Sequence, residues 1–167
     1  MSTTTMNMPR RQLLVPIVLA GLAAAAVAVL GGLMTDLGDW YFALEKPSWQ
    51  PPDWLFGPAW TLIYALTAIA AVRAWSRSRN LVERQNLLIV LLLNATLNVG
   101  WSLLFFRLQR PDWAMFEVFF LWASIVLLIV VCARRDTVAA WLLAPYLVWV
   151  TYAATVNYGV VYLNAPF

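Results

Sequence analysis

The chain has 167 residues, of which 63% are hydrophobic and 11% charged, with a mean hydropathy of +0.74. Soluble domains carry about 25% charged residues, so this chain has too few to build a polar exterior, and its class is integral membrane protein. The net charge of +3 is spread over several short loops and does not point to nucleic acid.

The chain has no histidine, which removes the commonest metal ligand and the commonest general base at neutral pH. A haem would be left with Tyr, Met or Cys as its only protein axial ligands. The single cysteine, Cys132, allows no internal disulfide, and it lies among apolar residues without a histidine partner. No metal-ligand cluster, phosphate-binding glycine loop or nucleophile–base pair is present, so neither catalytic nor metal residues are assigned.

A bilayer core about 30 Å thick needs roughly 20 apolar residues per helix. Five segments meet that demand, at 13–34, 55–75, 87–106, 113–133 and 139–163. They are continuously apolar and do not alternate as barrel strands would. The expected fold is all-α: a membrane bundle of five transmembrane helices in one domain, 13–167, after a short polar tail, 1–12, whose first nine residues should be disordered. Arg10 and Arg11 before an apolar stretch also resemble a signal peptide. That stretch is longer than the usual core of about 7–15 residues and lacks a clear cleavage site, so a retained helix is expected.

With five spans, one side of the membrane carries Arg10, Arg11, Arg73, Arg77, Arg79, Arg84, Arg134 and Arg135. The other carries Lys46, Arg107 and Arg110. Basic residues favour the cytoplasmic side, so in a plasma membrane the N-terminus should be cytoplasmic and the first loop outside.

In the first segment Ala20, Ala24, Ala28 and Gly32 form a stripe of small residues at spacing four. It suits a close helix contact, either within the bundle or with a second copy. The first loop, WYFALEKPSWQPPDW at 40–54, is rich in Trp and stiffened by proline. Two roles fit it: a belt of interfacial aromatics, or a lid that loses little entropy when ordered over the bundle mouth.

In the third segment Asn94 and Asn98 share one helical face, with Trp101 and Ser102 on or near the same stripe. A buried amide either bridges neighbouring helices or lines a polar pocket. Glu117 is the acidic residue clearly inside an apolar run; such a residue faces the bundle interior or water, or, so near the start of its helix, it reaches the interface or stabilises the helix N-terminus. In the fifth segment Pro145 interrupts the helix. Trp149 and Ala153 then place a large ring and a small gap on one face, which Asn157 continues.

Three stretches together resemble the translocator protein family, also called tryptophan-rich sensory proteins (TspO/MBR). They are WYFALEKPSWQPPDWLFGPAWTLIYAL, LLLNATLNVGWSLLFF and LLAPYLVWVTYAATVN, and they occur in the family's order. The resemblance covers nearly the whole chain. It implies a five-helix bundle, often homodimeric, that binds tetrapyrroles and hydrophobic drug-like molecules below the first loop.

The positions matching the family's pocket are Tyr41, Pro51, Trp60, Asn94, Asn98, Trp101, Ser102, Trp149 and Ala153, and the loop then resembles the pocket lid. No cofactor is required, and a porphyrin such as protoporphyrin IX or haem is the expected ligand. The expected partners are that ligand, membrane lipid and a second copy, with no nucleic acid. VNYGVVYLNAPF lacks the basic residue after tyrosine that marks the cholesterol pattern of animal members, which speaks against steroid handling.

The function this implies is a membrane receptor or sensor for porphyrins. The alternatives are a light- or oxygen-dependent porphyrin-degrading enzyme and a porphyrin transporter. Nothing resembles an independent catalytic centre, and five helices without inverted repeats suit alternating access poorly.

Overall fold

The computed structural model describes residues 10–167, with side chains from residue 13 onward. The polar tail expected over the first nine residues lies outside these. Helix α1, Arg10–Met34, is the first span, and α2, Asp39–Ala43, lies within the first loop. A 3₁₀ turn, Asp53–Leu55, leads into α3, Phe56–Ser76. Helix α4, Leu81–Ser102, continues as a wider π turn, Leu103–Arg107. Helix α5, Pro111–Ala133, is the fourth span, and α6, Thr137–Leu142, with α7, Ala144–Asn164, makes the fifth.

There is no strand among the described residues, and five helical stretches are long and apolar enough to cross a bilayer. The chain is an integral, multi-pass membrane protein.

Three boundaries depart from the hydropathy reading, each for a local reason. Helix α4 starts at Leu81 and not at residue 87, because the Asn80 side chain caps it, accepting from the Glu83 N–H at 2.9 Å. Glu83 reaches back to the Arg79 N–H, just ahead of the cap, at 2.8 Å, so one orphan donor of the first turn is satisfied and the entering chain is tied down. Hydropathy measures the bilayer, whereas this helix begins in water.

At its other end the Leu108 N–H bonds the Leu103 carbonyl five residues back at 2.9 Å, which widens the last turn. Such π turns cluster at functional sites. In the fifth span the chain breaks between α6 and α7 at Leu143, and Pro145 sits in the first turn of α7, where its missing N–H is not needed.

Helix α5 is the centre of the bundle and packs against α4, α6 and α7. Its Ala114, Val118, Leu121, Ile125, Leu128 and Cys132 form one buried stripe at helical spacing. Helix α1 lies at the edge, against α3 and α4. Ala20 and Ala24 of its small-residue stripe turn inward, but Ala28 and Gly32 are exposed. The helix drifts, and Val27 and Gly31 take the inward positions. A Cβ on Gly31 would lie 3.7 Å from the Tyr64 hydroxyl, so the contact is within the bundle. The outer face of α1, with Leu14, Val18, Leu22, Val29 and Leu33, is exposed and apolar.

One end of the bundle is held by charge. Asp136, only 3% exposed, meets Arg73 Nε at 2.8 Å and Arg77 Nη1 at 2.9 Å. Its carboxylate also caps α6 by accepting from the Val138 N–H at 2.9 Å. Arg135 donates to the Glu83 carbonyl at 2.6 Å and ties α4 to the same corner.

Candidate functional site

At the opposite end of the bundle the first loop is fastened at several points. Tyr41 is buried, and its hydroxyl donates to Asp53 Oδ1 at 2.8 Å. Gln50 donates to the Tyr41 oxygen at 3.2 Å, and Lys46 Nζ stands 3.9 Å over the Tyr41 ring. Burial first, then the hydrogen bond to Asp53 and the Asp53 charge, push the phenol well above its ordinary pKa. It therefore stays a donor across the physiological range.

The loop also docks on α7. Asn164 exchanges two hydrogen bonds with the Glu45 backbone, both 2.8 Å, and the Tyr152 hydroxyl donates to the Trp49 carbonyl. Pro47 rides directly over Gly159, where an added Cβ would lie 2.8 Å from its ring carbons. Gly159→Ala should therefore cost about 1–3 kcal/mol of loop docking, the scale of overpacking. The expected readout is faster proteolysis within 45–54 together with a lower melting temperature. Unchanged cleavage and melting would show that the contact yields freely.

Beneath the loop, Tyr41 packs in an outer cluster with Phe105, Ala114 and Val160. Trp101 borders this cluster, stacking on Phe105 with ring centroids 5.1 Å apart. It also borders the inner cluster of Ile63, Val118, Leu121, Ile125, Tyr146 and Val150. Trp60 and Trp149 border that inner cluster as well. Trp60 stacks on Tyr64 at 5.4 Å and meets Tyr146 edge-on at 6.0 Å, while Phe56 stands edge-on to Trp149 at 5.7 Å.

The two asparagines are built into a hydrogen-bond chain that crosses the bundle. Tyr64 donates to Asn98 Oδ1 at 2.8 Å, and Asn98 Nδ2 donates to the Tyr146 oxygen at 3.0 Å. Tyr146 donates to Asn94 Oδ1 at 3.3 Å, and Asn94 Nδ2 donates to Ser124 Oγ at 2.8 Å. Ser124 closes the chain on the Leu121 carbonyl at 2.7 Å. Four helices are linked through one directed run of donors. Each amide uses its oxygen and one N–H on protein partners, which is the bridging arrangement, and each keeps one further N–H.

The sequence-derived candidates therefore divide. Trp60, Asn94, Asn98, Trp101 and Trp149 converge on the interior around Tyr146. Tyr41 closes the outer cluster, linked to that interior through Trp101. Pro51 is half-buried in the loop, Ala153 is half-buried one turn beyond Trp149, and Ser102 is half-buried at the start of the π turn.

Sequence reasoning left out Tyr64, Tyr146 and Ser124, which complete the hydrogen-bond chain. Spacing offered a signal for one of them, since Tyr64 follows Trp60 by one helical turn. Asn157, read only as continuing a face, is buried and bridges α4 to α5. It accepts from Trp101 Nε1 at 3.2 Å and donates to the Pro111 carbonyl at 2.9 Å.

Residues 18–163 match the TspO/MBR family. The chain belongs to the TspO/MBR family. It is 39% identical over 143 residues to the "Tryptophan-rich protein TspO" of Chlorobaculum tepidum, covering 83% of this chain and 89% of that protein. It is 32% identical over 143 residues to the "Tryptophan-rich sensory protein" of Cereibacter sphaeroides, covering 86% and 88%. To the Homo sapiens "Translocator protein" it is 30% identical over 122 residues, covering 72% of each. The matched region of this TspO/MBR chain runs from within α1 to the last turn of α7, and so includes the loop, both aromatic clusters and the hydrogen-bond chain.

Proposed function

We propose that this protein is a membrane receptor or sensor that takes a porphyrin, or a similarly flat hydrophobic molecule, into the bundle interior beneath its first loop. One observation carries the reading. Trp60, Trp101 and Trp149 border a single buried cluster, and the Trp149 indole N–H is shut off from solvent without an acceptor. A buried donor without a partner costs about 1–3 kcal/mol, and a ligand carbonyl or carboxylate would supply the acceptor.

The aromatic faces suit a flat ring, and a porphyrin held by its faces and edges needs no histidine. Relatives named as sensory and translocator proteins support the reading, and we include in the proposal a homodimer and a cytoplasmic N-terminus.

The test is quenching of tryptophan fluorescence by protoporphyrin IX, beside a thermal melt. Trp60→Ala should remove stacking worth about 1–3 kcal/mol, a loss of affinity of roughly five- to 150-fold. Pro51→Gly keeps every ring but loosens the loop, so it should weaken binding less and speed dissociation more. If both variants melt normally and bind as the parent does, the interior is not the porphyrin site. Illumination of the complex separates receptor from enzyme, because breakdown would yield a new absorbing product.

A further inference from the structure

Among the described residues, Glu117 is a carboxyl group inside a membrane span that neither the hydrogen-bond chain nor the ion pairs use. Glu117 lies six residues into α5, roughly 9 Å below its start. The protein covers both of its carboxylate oxygens, and neither has a hydrogen-bond partner. A carboxylate within a membrane span is costly and faces the bundle interior or water, so an unpartnered one marks a missing partner.

The register of α4 against α5 places it. These helices run antiparallel, with Asn94 on Ser124 at mid-span and Phe105 clustered with Ala114 nearer the loop. Interpolation between the two contacts sets Glu117 level with Trp101 and Ser102. The basic residues at that end are engaged elsewhere, Lys46 lying 3.9 Å from Asp53. Arg110 Nε bonds Asp112 at 2.8 Å, and exposed Arg107 lies 3.9 Å from Asp36.

We propose that Glu117 is the anionic anchor of a cation site in the bundle interior, selecting hydrophobic ligands that carry a protonated nitrogen. An ammonium donor would satisfy the two orphan oxygens and pair the charge in a medium where such pairing is strong. The aromatic rings at the same level would hold the apolar body, and Trp101 would add a cation–π face. The inference rests on the reading that the interior admits ligands, but not on that ligand being a porphyrin.

The test compares 1-adamantylamine with 1-adamantanol, which match in shape and differ in charge, on the full chain in nanodiscs, referenced to protein-free discs. The amine should bind roughly tenfold or more tightly than the alcohol, the scale of one charge-assisted hydrogen bond. Glu117→Gln should abolish that preference while leaving alcohol binding unchanged. Equal binding of the two probes by the parent protein, or a preference that survives Glu117→Gln, would overturn the proposal.

The parent comparison stands even if the variant fails to fold. Protoporphyrin titration of the same samples keeps the two readings apart. Retained porphyrin binding without an amine preference sinks the cation site alone. Loss of porphyrin binding in the folded Trp60→Ala variant, with the amine preference intact, leaves the cation site standing.

Discussion

Asp136→Asn should cost about 3 kcal/mol, the lower end of the range for breaking a buried ion pair. The carboxylate is almost fully covered and serves two arginines and the first turn of α6 at once. Asparagine keeps an oxygen for the cap but leaves two guanidinium groups facing an uncharged amide. The cost falls short of the full range because Arg73 and Arg77 are 35% and 52% exposed and recover part of their hydration. Arg77→Met, which removes only the more exposed partner, should be milder.

The same group sets an acid limit on stability. Burial alone would raise the Asp136 pKa, but the close Arg73 guanidinium, the Val138 N–H and the Arg77 charge outweigh it and hold it below the usual carboxylate range. A depressed folded pKa gives stability that is fully present above the unfolded value of about 3.9 and is lost as pH falls through the folded one. Melting of the parent in nanodiscs should therefore be flat near neutrality and fall below about pH 4. Asp136→Asn should start lower and decline less over that acid interval. A variant that melts as the parent does at pH 7 would show that the corner is held by packing alone.

Bilayer thickness and hydropathy made the five spans legible, because only a helix satisfies its own backbone in lipid. What they left out is chemistry at the ends. The six residues from Leu81 to Asn86 are too polar to register as a span, yet Asn80 and Glu83 make them helical by capping. The π turn at Leu103–Arg107 has no pattern in the sequence, since a run such as LLFFR serves any helical turn.

In the site, residue type and helical spacing pointed to Asn94, Asn98 and Trp149, and the resemblance added Trp60. Their partners were hidden because a hydrogen bond between helices has no sequence spacing. Tyr146 and Ser124 reach Asn94 from 52 and 30 residues away. The role of Asn94 and Asn98 was open between bridge and pocket wall. The geometry gives the bridge, with one N–H on each amide left beyond it.

Tyr146→Phe tests that chain most directly, since the Tyr146 hydroxyl is both donor and acceptor at its centre. Removing it leaves Asn94 Oδ1 without its donor and Asn98 Nδ2 without its acceptor, both in buried side chains. Each orphaned group costs about 1–3 kcal/mol. Contacts between membrane helices measure at the low end of such ranges, so the pair should cost about 2–4 kcal/mol and visibly lower the melting temperature.

Cooperation within the chain predicts more than the single cost. In an Asn94→Leu, Asn98→Leu background there is nothing left to orphan, and the same Tyr146→Phe change should cost less than about 1 kcal/mol, the non-additivity expected of one network. Equal costs in both backgrounds would reduce the chain to independent contacts. Because Trp60 rests edge-on against the Tyr146 ring and stacks on Tyr64, losing the chain also frees the aromatic wall that the ligand reading needs to be rigid. Protoporphyrin dissociation from Tyr146→Phe should accordingly be faster than from the parent, even though no ring has been removed.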